Sequence, residues 1–256
     1  MKKIIAIVMA LAIVFAFAAC TSTEPATDGT DKPAEAKTLV MGTSAGFPPY
    51  EFVADDGSYA GIDVEIAQAI AEKLGCKLEI KDMEFNSLIS AVDGGAVDFA
   101  LAGMTVTDER KESVNFSETY ATGVQAIIVK EGSAIKTVDD LEGKTIGVQA
   151  GTTGDIYCTD DYGQENVKQY TNGALAVQAL MNDQIDCVVI DNEPAKSFVA
   201  ANEGLTILET AYAVEDYAAA FAKSNESLLN DFNKALAELK ADGTIDKIIE
   251  KYINAG

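Results

Sequence analysis

The chain has 256 residues, 48% of them hydrophobic and 23% charged, and its 19 Lys and Arg against 41 Asp and Glu give a formal charge of −22. That balance argues against nucleic-acid binding, which needs a basic face to neutralise phosphates, and reads as a solvated acidic surface. Histidine is absent, which removes Ser-His-Asp and Cys-His catalysis together with the commonest zinc ligand, so neither a metal nor a cofactor is expected.

Lys2 and Lys3 precede an unbroken apolar run over residues 4–19, the charged and hydrophobic regions of an export signal. The run falls short of the roughly 20 residues that span a bilayer. It ends in Phe17-Ala18-Ala19-Cys20, where small residues before a cysteine suit a lipoprotein signal peptidase. Residues 1–19 are therefore expected to be removed, leaving Cys20 as an acylated N-terminus. After Cys20, residues 21–37 are Thr, Ser, Pro, Ala, Asp, Glu, Lys and one Gly, with almost no large apolar side chain, too little to build a core, and residues 20–37 are expected to form a disordered tether. The remaining stretch, roughly 220 residues, is enough for one large domain or two lobes.

Residues 39–44 read as a short buried strand, broken by the loop residues Gly46, Pro48 and Pro49. Over residues 61–75, Ile62, Ile66, Ala67, Ile70, Ala71 and Leu74 form one helical stripe, with Asp63 as the expected N-cap and Gly75 as the stop. A second strand is expected over 78–82, a second helix over 85–92 and a third strand over 97–102. A second cycle opens at Val138 with a helix, then a strand over 145–149, a strand over 167–170, a helix over 174–181 and a buried strand over 187–190. Two amphipathic helices, 228–239 and 245–252, close the chain. Strands alternating with helices predict an α/β fold of two similar units with parallel sheets and right-handed crossovers. Cys76, Cys158 and Cys187 remain after Cys20, with no CxxC spacing. A Cys158–Cys187 bridge and buried free thiols both stay open.

In open parallel sheets ligands lie beyond the carboxyl ends of the strands. After the third strand, Thr107 is an expected N-cap whose helix carries Arg110 toward the cleft, and a guanidinium offers two parallel donors to a carboxylate. The loop Ala150-Gly151-Thr152-Thr153-Gly154 opens another helix, where free N–H groups and the positive dipole end favour an anion. Asp191 ends the buried strand 187–190 and is placed to accept from an ammonium. An anion clamp and a cation acceptor together describe a zwitterion.

The segments GIDVEIA, DFALAGMTVTDER followed by NFSETY, LEGKTIGVQAGTT, VVIDNEPA and LKADGTIDKIIEKY occur in the order found in a known family. From Lys37 to Ile253 the chain resembles the amino-acid-binding proteins of ABC importers, the extracellular solute-binding proteins of family 3. The resemblance implies the type II periplasmic-binding fold, with one lobe over 38–122 and 218–256, the other over 124–217, and a hinge of two crossovers. It further implies that Arg110, helped by the backbone of Thr105 and Thr153, grips an α-carboxylate, that Asp191 and the Gly103 carbonyl take an α-ammonium, and that Phe47 and Phe85 flank the ligand side chain, with Thr152 and Ser44 at the same site. Ser44 stands where relatives for glutamine or basic residues often carry an acid, and Ile190 where a polar residue can precede the aspartate. Both favour an uncharged ligand side chain. The partners so implied are a free amino acid, a permease and, through Cys20, the membrane, with a monomer as the default. The rivals are an enzyme on the same fold, such as a cyclohexadienyl dehydratase, and a ligand-sensing module of a receptor. An added catalytic domain is not expected after the last family segment.

Overall fold

The computed structural model describes residues 36–208 and 212–253. The expected export signal, Cys20 and nearly all of the expected tether lie outside the described residues. The chain begins with β1, Thr38–Thr43, passes through a small antiparallel sheet of β2, Gly46–Phe47, β3, Glu51–Val53, and β4, Tyr59–Ala60, and enters α1, Ile62–Lys73. There follow β5, Lys77–Asp82, a 3-10 turn at Phe85–Ser87, α2, Leu88–Asp93, β6, Phe99–Ala100, α3, Asp108–Ser113, and β7, Val114–Phe116. The long strand β8, Ala121–Lys130, leads to β9, Ile146–Gln149, α4, Thr153–Tyr162, β10, Val167–Tyr170, α5, Gly173–Met181, β11, Cys187–Asp191, α6, Asn192–Ala201, and β12, Leu205–Ile207. The return runs through β13, Val214–Tyr217, and β14, Ala220–Ala222, to α7, Glu226–Ala241, and α8, Thr244–Ile253.

Two sheets organise these elements. The first has the order β5-β1-β6-β14-β7 and the second β10-β9-β11-β8-β12, with β13 paired to β8. Within them β5, β1 and β6 are parallel, as are β10, β9 and β11. The sheets are mixed rather than purely parallel, because β14 runs antiparallel to β6 and β7, and β8 runs antiparallel to β11 and β12. These antiparallel strands belong to the two passages between the sheets, where β8 and β13 pair side by side from Ala121 with Tyr217 to Val124 with Val214.

The apolar stripe of α1 is buried at Ile62, Ile66, Ala67, Ile70 and Ala71, and the helix packs against α7 and α8. Phe99 and Phe221 stack, and Phe232 meets both at a steeper angle, with centroids 5.0 to 5.8 Å apart. A second core gathers Ile127, Val129, Ile146, Val148 and Val189. Each such side chain contributes about 1.5–3 kcal/mol of burial.

Several boundaries differ from the sequence-based ones. Asp63 is not the N-cap of α1: that position is Gly61, and the Asp63 carboxylate turns inward to the Gly103 N–H at 2.7 Å and the Tyr120 hydroxyl at 2.8 Å. The second helix begins as a 3-10 turn, the third strand shrinks to Phe99–Ala100, and the helix expected at Val138 is a 3-10 turn over Val138–Leu141. Cys158 and Cys187 are buried free thiols, and burial pushes the Cys187 thiol up to about 12, which keeps it protonated and inert.

Candidate functional site

Arg110 reaches the space between the sheets because α3 starts at Thr107, whose hydroxyl accepts from the Arg110 N–H at 3.1 Å. Its guanidinium is buried and donates from Nη1 to the Thr105 carbonyl at 2.7 Å and from Nη2 to the Gly151 carbonyl at 3.0 Å. It also lies 5.3 Å over the Phe85 ring, a cation–π distance. Burial lowers its pKa while the nearby Glu215 charge opposes the shift. Thr105 is held by an isolated bridge to Tyr217, flanked by the bonds from Val106 to Asp216 and from Ala218 to Met104.

Facing Arg110 is the end of β11. Asp191 stands at the N-terminus of α6 without capping it. Its carboxylate instead accepts from Gln125 Nε2 at 3.0 Å and from the Tyr217 hydroxyl. Burial and the Glu215 charge raise its pKa to about 7. Glu215, on β13, accepts from the Thr105 hydroxyl at 3.0 Å and from Gln125 at 3.1 Å. Strands β8, β11 and β13, helix α3 and the Thr105 bridge thus converge on one polar centre.

The space they border is a narrow cleft lined by Phe47, Glu51, Phe85, Gly103, Thr105, Arg110, Gln149, Thr152, Thr153 and Asp191 among others. Gly103 has φ +51, and a Cβ there would come within 2.9 Å of the Phe47 ring. Only glycine lets the backbone approach the aromatic wall so closely. The loop over 150–154 is less open to an anion than its sequence implies, because the Gly151 N–H already donates to Asp155 at 2.9 Å. The Thr153 N–H, at the first position of α4, has no intrahelical acceptor.

Of the residues singled out from the sequence, Arg110, Asp191, Gly103, Thr105, Thr152, Thr153, Phe47 and Phe85 come together in this lining. Ser44 does not. It lies beside Ala45, Gly46 and Asp82 in a separate depression, because the chain turns sharply where the Gly46 N–H donates to the Ser44 carbonyl at 2.7 Å. Ile190 points to Gly173 and the hydrophobic core. Sequence reasoning missed Glu51, Gln149, Gln125 and Glu215. Glu51 alone had a signal, a charged residue between the aromatic residues Tyr50 and Phe52. Among the described residues, no group of three or more His, Cys, Asp or Glu could hold a metal ion, and no helix is long and apolar enough to cross a membrane.

Two mixed sheets joined by paired strands, with a polar cleft at the strand ends between them, form the type II periplasmic-binding fold. The chain belongs to the bacterial extracellular solute-binding proteins, family 3, whose family model matches residues 39–255. It is 35% identical to the arginine-binding extracellular protein ArtP of Bacillus subtilis (strain 168) over 98% of both chains. To the L-cystine-binding protein TcyJ of Escherichia coli (strain K12) it is 33% identical, over 88% of this chain and 86% of that one. An ancestral arginine-binding protein bound to arginine superposes with a TM-score of 0.79 at 44% identity, covering 84% of this chain and 97% of that one. All three are named as binding proteins.

Proposed function

We propose that this chain is an exported, lipid-anchored receptor that captures one free amino acid between its lobes and delivers it to the permease of an ABC importer. The observation that carries this is the placement of Arg110 and Asp191 around one narrow cavity, a guanidinium and a carboxyl matched to the two ends of a zwitterion. Arg110 grips the α-carboxylate with the N–H groups of Thr105 and Thr153. Asp191 and the Gly103 carbonyl take the α-ammonium, while Phe47 and Phe85 flank the side chain. The lobes are residues 38–122 with 218–256, and 124–217, and they close about the paired passages near Gly123 and Ala218. Because the ligand touches both lobes only when they are closed, its differential affinity shifts the population toward closure. Acylated Cys20 and the tether hold a monomer at the outer face of the membrane.

The lining also speaks to the side chain. Ser44 and Ile190, which favoured an uncharged one, do not border the cavity, whereas Glu51 does. Both Glu51 oxygens and Gln149 Oε1 are buried without a donor among the described residues, and unsatisfied buried acceptors are costly. A side chain ending in N–H groups supplies the missing donors. Arginine, with five on its guanidinium, suits the Glu51 carboxyl best, and glutamine is its uncharged counterpart. ArtP is named for arginine, in keeping with this choice.

Calorimetric titration with arginine and glutamine tests the assignment. Arg110→Ala leaves a buried ligand carboxylate unpaired, at about 3 to 5 kcal/mol, so affinity falls by roughly two to four decades at about 1.4 kcal/mol per decade. Near wild-type affinity in that variant would exclude Arg110 as the carboxylate clamp.

A further inference from the structure

At the cavity wall, one in the lining and one behind it, lies a pair of acids that no ligand-contact role by itself explains. Glu51 opens β3 and Asp63 lies in the first turn of α1. The Ile62 N–H donates to the Pro49 carbonyl at 3.0 Å and the Asp63 N–H to the Tyr50 carbonyl at 2.9 Å, clamping the two segments together. Both side chains are fully buried, and the backbone clamp sets their carboxyl groups close enough for each to act on the other. Asp63 Oδ2 is occupied by the Gly103 N–H and the Tyr120 hydroxyl. Asp63 Oδ1 and both Glu51 oxygens have no donor among the described residues.

Two ionised carboxylates in contact repel, so such a pair holds at least one proton. Placed between Asp63 Oδ1 and one Glu51 oxygen, that proton satisfies both. The other Glu51 oxygen remains, on a residue that lines the cavity. We propose that this second oxygen carries another, exchangeable proton, and that a cationic ligand side chain displaces it. Capture of a cation is then coupled to release of one proton, with the incoming positive charge replacing the outgoing one. An uncharged amide leaves the proton in place. The exchange rests on the amino-acid function proposed above and deepens it, since the pair would then distinguish ligands by charge.

The surroundings agree. Burial, and next the charge of Asp63, push the Glu51 carboxyl well above the usual carboxylate range, with Asp191 and Asp82 adding in the same direction. Asp63 is raised to about 7 by burial, against the opposing bonds from Gly103 and Tyr120. The phenols of Tyr50 and Tyr120 are both pushed up by burial and by these acids and stay neutral. Arg110, the cation of the lining, is held on the Thr105 and Gly151 carbonyls. Asp191 also titrates near 7, but it meets the α-ammonium that arginine and glutamine share, so its proton is common to both ligands.

The proton count is measured by titrating the wild-type protein with arginine and with glutamine at about pH 6, in two buffers of different ionisation enthalpy. Arginine is expected to release close to one proton more per complex than glutamine. Its affinity should rise by up to about tenfold per pH unit for as long as the free protein holds that proton, and level off once the proton is lost. Glu51→Gln is expected to abolish the difference between the ligands. Equal proton release by both ligands on the wild-type protein overturns the exchange. So does binding of glutamine without arginine, which leaves amino-acid capture intact. If no free amino acid binds, capture itself is refuted and the exchange with it.

Discussion

At the scale of single residues, the site depends on how closely Tyr217 can lie against the passage between the lobes. Its ring stands edge-on to Tyr50 at 5.2 Å, its hydroxyl donates to Asp191, and the backbone of Gly123 passes directly beneath it. A Cβ at Gly123 would overlap the Tyr217 hydroxyl and ring, and that hydroxyl orients the proposed ammonium acceptor. Gly123→Ala should therefore cost about 1–3 kcal/mol through overpacking. For a protein of this size that is a fall in Tm of roughly 2 to 12 °C, with amino-acid affinity falling as Asp191 loses its partner. Thermal denaturation followed by calorimetry checks both, and an unchanged Tm would show that the passage has room to spare.

At the scale of elements, α3 is the piece on which ligand capture turns. It spans only Asp108–Ser113, too short to persist without tertiary support, and the Thr107 cap holds its first turn. Losing that cap costs about 1 kcal/mol. Thr107→Ala should thus weaken ligand binding by a factor of roughly 5, because the turn that frays is the one carrying Arg110, while Thr107→Ser should bind as the wild type does. Titration of the two variants side by side separates loss of the hydroxyl from loss of the methyl group. The elements most legible in the sequence are those with a full period to show, such as α1 with its stripe and the buried run of β11. The short strands β7, β12, β13 and β14 carry three or four residues each, too few to reveal a period of two. Antiparallel pairing to partners distant in sequence is what makes them strands.

At the scale of the whole molecule, acids held inside the fold tie stability to pH. Asp63 and Asp191 are each raised to about 7, against about 3.9 in an unfolded chain. A carboxyl raised on folding favours the protonated state. Its contribution is full below the unfolded value and is lost as pH climbs through the folded one, after which it changes no further. The ligand-free protein should accordingly lose Tm between about pH 4 and about pH 7. Asp191→Asn, which cannot ionise, should make the decline shallower. Melting curves across that range decide the matter, and a Tm that rises with pH would mean that these acids are ionised in the folded protein.

The amino-acid sequence by itself determined the alternation of strands and helices, the helical stripes, the Thr107 cap and most of the polar residues that meet in the cavity. Each is a local pattern, set by spacing along the chain or by the loop in which a residue stands. Only the tertiary structure decided which acids are buried and against what. Asp63 has the sequence position of a helix cap, yet it is drawn under Gly103 because the start of α1 is clamped to the loop before β3. Glu51, Gln125 and Glu215 become neighbours of the site only when three separate strands converge. Ser44 leaves it because one tight turn points the chain elsewhere. Desolvation and the meeting of distant charges are properties of the folded whole, and no window along the chain contains them.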